Sequence, residues 1–356
     1  MLLAINFDSL LQQKARQGIL TSLFCLLLTA CGTDGQPASY SQYQYSGPTM
    51  GTQYHISVVL NRDEKIDDEL QAHIDAQLAA INQSMSTYLS DSELSRLNRA
   101  ATQEWIPLSE PLFAVITLAQ RISLESDGAF DITMGPLVEL WGFGARDKVV
   151  DTVPSAAEIN SLLAKSGYQQ LELQGRPPAL KKLTDTALDL SAIAKGFAVD
   201  EISYGLTQLG YANHMVEIGG EVKTQGHNAR GDIWHIGIES PTFSHTGVQQ
   251  AVTVQGVGIA TSGDYRNYFE INGQRFSHTI NPRTGRPITH NLASVTVIAP
   301  TCAEADAYAT AINVLGFKAG KMFAEQRGLA AYFIVRDDEN FSADMTSKFK
   351  QYLTQG

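Results

Sequence analysis

The chain has 356 residues, 44% of them hydrophobic, and a formal net charge of −11 from 26 Lys and Arg against 37 Asp and Glu. This acidic balance excludes a protein that grips nucleic acid through a basic footprint; an anionic ligand must be met by local devices such as a helix N-terminus, a single lysine or a metal. Length and apolar content suffice for one large domain or two ordinary ones.

At the N-terminus, Lys14 and Arg16 precede the apolar run from Gly18 to Leu28, which leads into Thr29, Ala30 and Cys31. The run is shorter than the roughly 20 residues a membrane helix needs, and small residues follow it, so 1–30 reads as an export signal. Leu28 to Cys31 resembles the bacterial lipobox. That resemblance makes Cys31 the acylated first residue of the mature chain, held in a membrane by several acyl chains. The alternative is an ordinary signal peptide with a chance cysteine. Residues 31–46, rich in Gly, Ser and Gln, read as a flexible tether, and 47–350 as one domain. Cleavage removes Asp8, Lys14 and Arg16, a net +1, which makes the mature charge −12. With Cys25 discarded and Cys31 acylated, Cys302 has no disulfide partner, and stability must come from the core.

Along the mature chain, Tyr54–Leu60 alternates as a strand, and Asp67–Met85 has apolar residues at helical spacing. Pro111–Ser126 is a second helix, stopped by Asp127-Gly128, and Ser155–Ser166 a third, with Pro154 ahead of it and Gly167 behind. Leu171–Leu173 and Ala187–Leu190 read as strands, and Ile193–Leu209 as a helix ended by Gly210. Short strands follow at Met215–Ile218, Ile233–Ile238, Ala251–Val254, Tyr268–Ile271, Arg275–Ile280 and Ser294–Ile298, with Asn272-Gly273 as a hairpin turn. A last helix covers Ala303–Leu315, before Gly316. Helices, then strands, then a helix favour an α+β architecture over a doubly wound parallel sheet.

Common catalytic patterns are absent: there is no His-Glu-x-x-His, no Cys-x-x-Cys, and Ala260 replaces the first glycine of a nucleophile elbow around Ser262. Gly142-Phe143-Gly144 lacks the third glycine of a dinucleotide fingerprint, at Asp147. Four clusters remain. In Leu188–Phe197 a strand turns into a helix, offering free amides and Lys195 to a phosphate, although a capped helix with a solvated lysine fits equally. In Thr301–Thr310, Thr301 and Glu304 fit a capping box. Asp306 and Thr310 share a helix face as hard oxygen ligands suited to Mg²⁺, or stand as a dipole-favoured acid and an exposed threonine. Phe276–Pro287 carries His278, whose pKa range suits proton transfer, with Arg283 and Arg286 available to phosphate or to solvent. Asp127–Pro136, with Gly47–Thr52 and Met85–Tyr88, supplies glycines for close backbone approach and Tyr88 as a stacking face.

In this order the segments are similar to the ApbE family of FAD:protein FMN transferases, from about Gly47 to Gly316. The most specific stretches are Met85–Arg96, Gly128–Asp131, Leu188–Gly196, Ser277–Pro282 with Thr284-Gly285, and Asp306–Thr310. The resemblance implies an α+β fold of mixed, largely antiparallel sheets with packed helices, T-fold-like. It implies an FAD site lined by Met50, Tyr88, Ala129, Phe130, Asp131, Asp189, Lys195 and Ile280. It implies Mg²⁺ held by the backbone oxygens of Ala192 and Ala309 and the side chains of Asp306 and Thr310. His278 would serve proton transfer, with Asp264 able to share that role. The implied reaction moves FMN from FAD to a Ser or Thr hydroxyl of acceptor flavoproteins in membrane redox complexes, from a lipid-anchored position facing the periplasm. Two other readings stay open: an Mg²⁺-dependent FAD pyrophosphatase and a non-catalytic flavin-binding lipoprotein.

Overall fold

The computed structural model describes residues 2–4 by backbone alone and residues 40–145, 152–240, 247–263, 268–271, 274–337 and 340–354. Cys31, Asp264 and the Asn272-Gly273 turn lie outside the described residues, as does most of the expected export signal. The backbone of Leu2–Ala4 pairs antiparallel with Ile236–Ile238.

One eight-stranded sheet organises the molecule. Its strands are β1 (Tyr40–Thr49), β2 (Thr52–Asn61), β3 (Asn213–Ile218), β4 (Glu221–Gln225), β5 (Gly258–Gly263), β6 (Leu292–Ala299), β7 (Ala330–Asp337) and β8 (Asn340–Met345). In space they stand in chain order, each antiparallel to the next. The fold is therefore a meander interrupted by excursions. The longest, between β2 and β3, holds helices α1 (Leu70–Met85), α2 (Glu93–Arg99), α3 (Glu110–Glu125), α4 (Gly135–Leu140), α5 (Ala156–Leu163) and α6 (Ala194–Gln208), with a small sheet formed by Trp105–Pro107, Pro178–Lys182 and Leu171–Gly175. Helix α7 (Cys302–Gln326) joins β6 to β7.

Both faces of the sheet are buried, and this explains why β2 reads Ile56-Ser57-Val58-Val59-Leu60 instead of alternating cleanly. Ile56, Val58 and Leu60 pack in the core shared with the helices, while Val59 joins Met215, Val222 and Ile259 against the hairpin that carries Trp234, Ile236, Val252 and Val254. A strand buried on two faces needs apolar residues on both. The α+β architecture expected from the sequence is what forms, with largely antiparallel sheets.

Several elements differ from expectation. Tyr40–Ser46, placed in the tether, belong to β1; Tyr43 and Tyr45, two apart, pack against the core, and the strand pairs with β2 along its whole length. Ala187–Leu190 is extended but joins no sheet: Leu188 is held on both its backbone groups by the Asn98 amide, and Asp189 N donates to Ile132 O. Arg275–Ile280 splits at His278 and Thr279 into strands Gln274–Ser277 and Ile280–Asn281. Helix α7 runs on past the expected stop, but Gly316, at φ 74° and ψ 175°, breaks its regularity where the sequence placed the end. Among the described residues no helix is long and apolar enough to cross a membrane.

Candidate active site

A cleft of about 710 Å³ opens at one end of the sheet, where the β1–β2 turn, the end of α1, the loop after α3, the start of α6, the β3–β4 turn and one face of α7 converge. Met50, Tyr88, Ala129, Phe130, Asp131, Asp189, Ala192, Lys195, His278, Ile280, Asp306 and Thr310 all line it. Ala309, 1% exposed, lies behind this lining and is the one predicted site residue within the described chain that does not reach it.

Local chemistry places each side chain. Met50 and Gly51 form a two-residue hairpin turn with φ of 49° and 73°, the left-handed geometry such turns require. Tyr88 follows α1, is 73% exposed and lines the cleft. Phe130 is anchored through its amide to Ser126 Oγ, at 3.1 Å. Asp131 has both carboxylate oxygens engaged, Oδ1 by the Thr133 amide and hydroxyl and Oδ2 by the Tyr168 amide. Burial raises its pKa and these hydrogen bonds pull it back, so Asp131 shapes the cleft wall rather than offering a free charge. Asp189 Oδ1 likewise accepts from Ser191 N at 2.8 Å.

Helix α6 begins at Ala194, and its N-cap residue Ile193 makes no side-chain cap, so the positive end of the helix and Lys195 enter the cleft together. Helix α7 passes close by, because Gly196 presents no Cβ: one added there would overlap the Cys302 carbonyl and lie 2.8 Å from Ala303 Cα. The crossing brings Gly196 N to 3.2 Å from Asp306 Oδ2 and Lys195 Nζ to 3.8 Å from the same oxygen. Lys195 Nζ also lies 3.4 Å from Oε1 of Glu221, at the start of β4. Burial works against the ammonium, but Asp306 and Glu221 outweigh it and raise the Lys195 pKa. Burial raises both carboxyls in turn, Glu221 to about 8, with Lys195 opposing the rise.

Glu221 escaped sequence reasoning. Its signal was the pair Gly219-Gly220 between a buried strand and an acid, a tight turn that aims the next side chain. Oε2 of Glu221 is buried without a hydrogen-bond partner among the described residues.

His278 sits on a separate apolar platform. Trp141, Phe143, Phe269 and Phe276 stack on one another, and the Phe143 ring meets His278 edge-on with centroids 6.3 Å apart. Trp141 Nε1 donates to Gly285 O at 2.8 Å and so fixes the turn after Pro282. Arg283, a candidate for phosphate, instead pairs with Asp127 at 2.6 Å. Thr301 caps α7 as expected by accepting from Glu304 N, but the Glu304 carboxylate turns to Arg121, at 2.6 Å. Cys302 is buried, and burial pushes its thiol pKa well up, which leaves it unreactive.

The donors beside Lys195 suit a hard dication: Asp306 and Thr310 are oxygen ligands one helical turn apart, and Glu221 adds an unpaired buried oxygen. Among the described residues no group of three or more His, Cys, Asp or Glu gathers for a metal, so such an ion would depend on hydroxyl, main-chain and ligand oxygens as well. A large cleft with a stacking ring at its mouth, a helix N-terminus, a charged lysine and paired carboxylates defines an enzyme site for an aromatic ligand bearing phosphate.

The model of the ApbE family matches residues 50–333. The chain is 42% identical over 335 residues to the FAD:protein FMN transferase of Klebsiella pneumoniae strain 342, covering 92% of this chain and 95% of that one. It is 41% identical to the enzyme of the same name from Escherichia coli K12, again over 92% and 95%. Among solved structures, flavin transferase ApbE from Vibrio cholerae superposes with a TM-score of 0.82 at 40% identity, over 88% of this chain and 100% of that one. The chain belongs to the ApbE family.

Proposed function

We infer that this protein transfers the FMN moiety of FAD to acceptor proteins. The observation that carries this is the convergence, in one cleft, of the separated segments that the family resemblance named, on a fold shared with flavin transferases. Tyr88 and Met50 stack and cover the flavin, and the α6 N-terminus with Lys195 binds the diphosphate. The acceptor is a Ser or Thr hydroxyl. Its oxygen attacks the FMN-side phosphorus, the bond from that phosphorus to the bridging oxygen breaks, and AMP leaves with the bridging oxygen. His278 takes the hydroxyl proton. Asp306 and Thr310, with the main-chain oxygen of Ala192 and that of Ala309 behind the lining, would hold Mg²⁺, which would supply positive charge to the phosphate oxygens.

The expected export signal and Cys31 support a lipid-anchored enzyme working outside the cytoplasm on acceptors in membrane redox complexes. The test of the reaction incubates the protein with FAD, Mg²⁺ and an acceptor carrying a Ser or Thr site, then reads flavin fluorescence on the denatured acceptor. Covalent flavin with AMP in equal amount is expected. Free FMN and AMP with no labelled acceptor would replace transfer by hydrolysis, and FAD left intact would leave a binding protein.

A further inference from the structure

Glu221 reaches the cleft from a turn that leaves it little freedom. Gly219 and Gly220 have φ of 60° and 107°, in the left-handed region that favours glycine, and Glu217 Oε1 accepts from Gly220 N at 2.6 Å. His55 Nδ1 holds the other Glu217 oxygen at 2.7 Å. The Glu221 side chain is only 4% exposed, yet just one of its oxygens is engaged: Oε1 faces Lys195, while Oε2 has no hydrogen-bond partner among the described residues. A buried anionic oxygen without a donor is costly, and a ligand that supplies one removes the cost.

Lys195 is shared. Its Nζ stands 3.4 Å from Glu221 Oε1 and 3.8 Å from Asp306 Oδ2, and Gly196 N donates to that same Asp306 oxygen. An ammonium with Asp306 as its sole carboxylate would settle on it and compete with any cation for the group. A second carboxylate on the far side holds the lysine back.

We propose that Glu221 is a positioning residue of this cleft: Oε1 draws Lys195 off Asp306, which keeps Asp306 open to a divalent cation, and Oε2 accepts a hydrogen bond from a water that the cation carries. The inference rests on the reading of Asp306 as a cation ligand. Mg²⁺ keeps several waters when protein carboxylates bind it, so a donor for Oε2 arrives with the ion.

The arrangement gives opposite signs for two ligands. Removing the Glu221 charge lets Lys195 close on Asp306 and takes one negative charge from the site, so a cation binds more weakly. The same change removes a negative charge from beside the diphosphate site, so FAD without metal binds more tightly. Isothermal titration measures both. Glu221→Gln should weaken binding of Mg²⁺ alone by about tenfold or more and tighten binding of FAD in chelator. Glu221→Asp, which keeps the charge, should recover part of the Mg²⁺ affinity. Should the Gln variant fail to fold, Glu221→Leu carries the same comparison.

Unchanged Mg²⁺ affinity in a variant without the charge would overturn the proposal, and so would weakening of both ligands together, the mark of a merely structural role. Wild-type protein that binds no Mg²⁺ would overturn the cation assignment and this inference with it. That result is distinct from a wild type that binds and a variant that binds equally.

Discussion

Asp306 is 5% exposed and holds its carboxyl under three influences: burial raises the pKa, while Lys195 and the Gly196 amide lower it. A carboxylate kept in such a place has few roles besides binding a cation or a strong donor. Asp306→Ala is expected to abolish covalent flavin transfer and to remove the dependence on Mg²⁺; transfer that survives both this change and chelator would end the metal assignment. A different buried group sets a pH limit on the fold. Burial lowers the His214 pKa from 6.5 to about 4, against the opposing hydrogen bond to Tyr211 O, and Ser203 Oγ meets its Nε2 at 2.7 Å. The unfolded chain takes up this proton near pH 6.5 and the folded chain only near 4. Stability is thus intact above 6.5 and withdrawn by acid across that window, by roughly 3 kcal/mol when complete. Urea midpoints measured from pH 7 to 4.5 should fall less steeply in His214→Gln than in wild type, and an equal slope would assign the acid loss to other groups. The cleft residues were legible because each lies in a short stretch dense with glycine, capping or oxygen-ligand chemistry. Glu221 was not, since one acid at the start of a strand looks like any other until its neighbours in space are known.

At the scale of elements, helices were easier to read than strands. The spacing of Leu70, Ile74, Leu78, Ile81 and Met85 marks α1, and all five are buried. Strand β1 was hidden by its polar composition, although Tyr43 and Tyr45 already fell on one face. Ala187–Leu190 looked like a strand because it is mostly apolar, but its partners are the Asn98 side chain and the Ile132 carbonyl. No periodicity could supply these, since Asn98 lies 90 residues from Leu188. The close crossing of α6 and α7 depends on glycine. Gly196→Ala would force the Cys302 carbonyl away and displace Asp306, on the same helix, from the Gly196 amide and from the cleft. Overpacking of this kind costs about 1–3 kcal/mol, so the thermal midpoint should drop by several degrees, roughly 2–4 °C per kcal/mol. Mg²⁺ affinity should fall with it. A variant with wild-type melting and wild-type Mg²⁺ binding would show that the crossing tolerates the added methyl.

For the whole molecule, the meander explains how segments far apart in sequence share one cleft: the β1–β2 turn, the β3–β4 turn and the end of β5 lie at one end of the sheet, and the helices of the β2–β3 and β6–β7 connections bring their residues to the same cleft. It also orients the cleft against the proposed anchor. Strand β1 starts at Tyr40 and delivers the chain to the Met50 turn in the cleft, about 30 Å away at some 3.3 Å per residue. With Tyr40–Ser46 in the sheet, the link from Cys31 shortens to the residues before Tyr40, which reach at most roughly 30 Å. A lipid on Cys31 therefore confines the cleft to a shell within about 60 Å of the bilayer, where it meets membrane-bound acceptors at raised effective concentration. Cys31→Ala protein, exported without its lipid, should label a membrane-embedded acceptor more slowly than wild type while labelling the soluble domain of the same acceptor at an unchanged rate. Time courses of covalent flavin on the two acceptor forms measure this. Equal slowing of both would show that the cysteine affects the enzyme itself, and no slowing of either would show that encounter does not depend on the anchor.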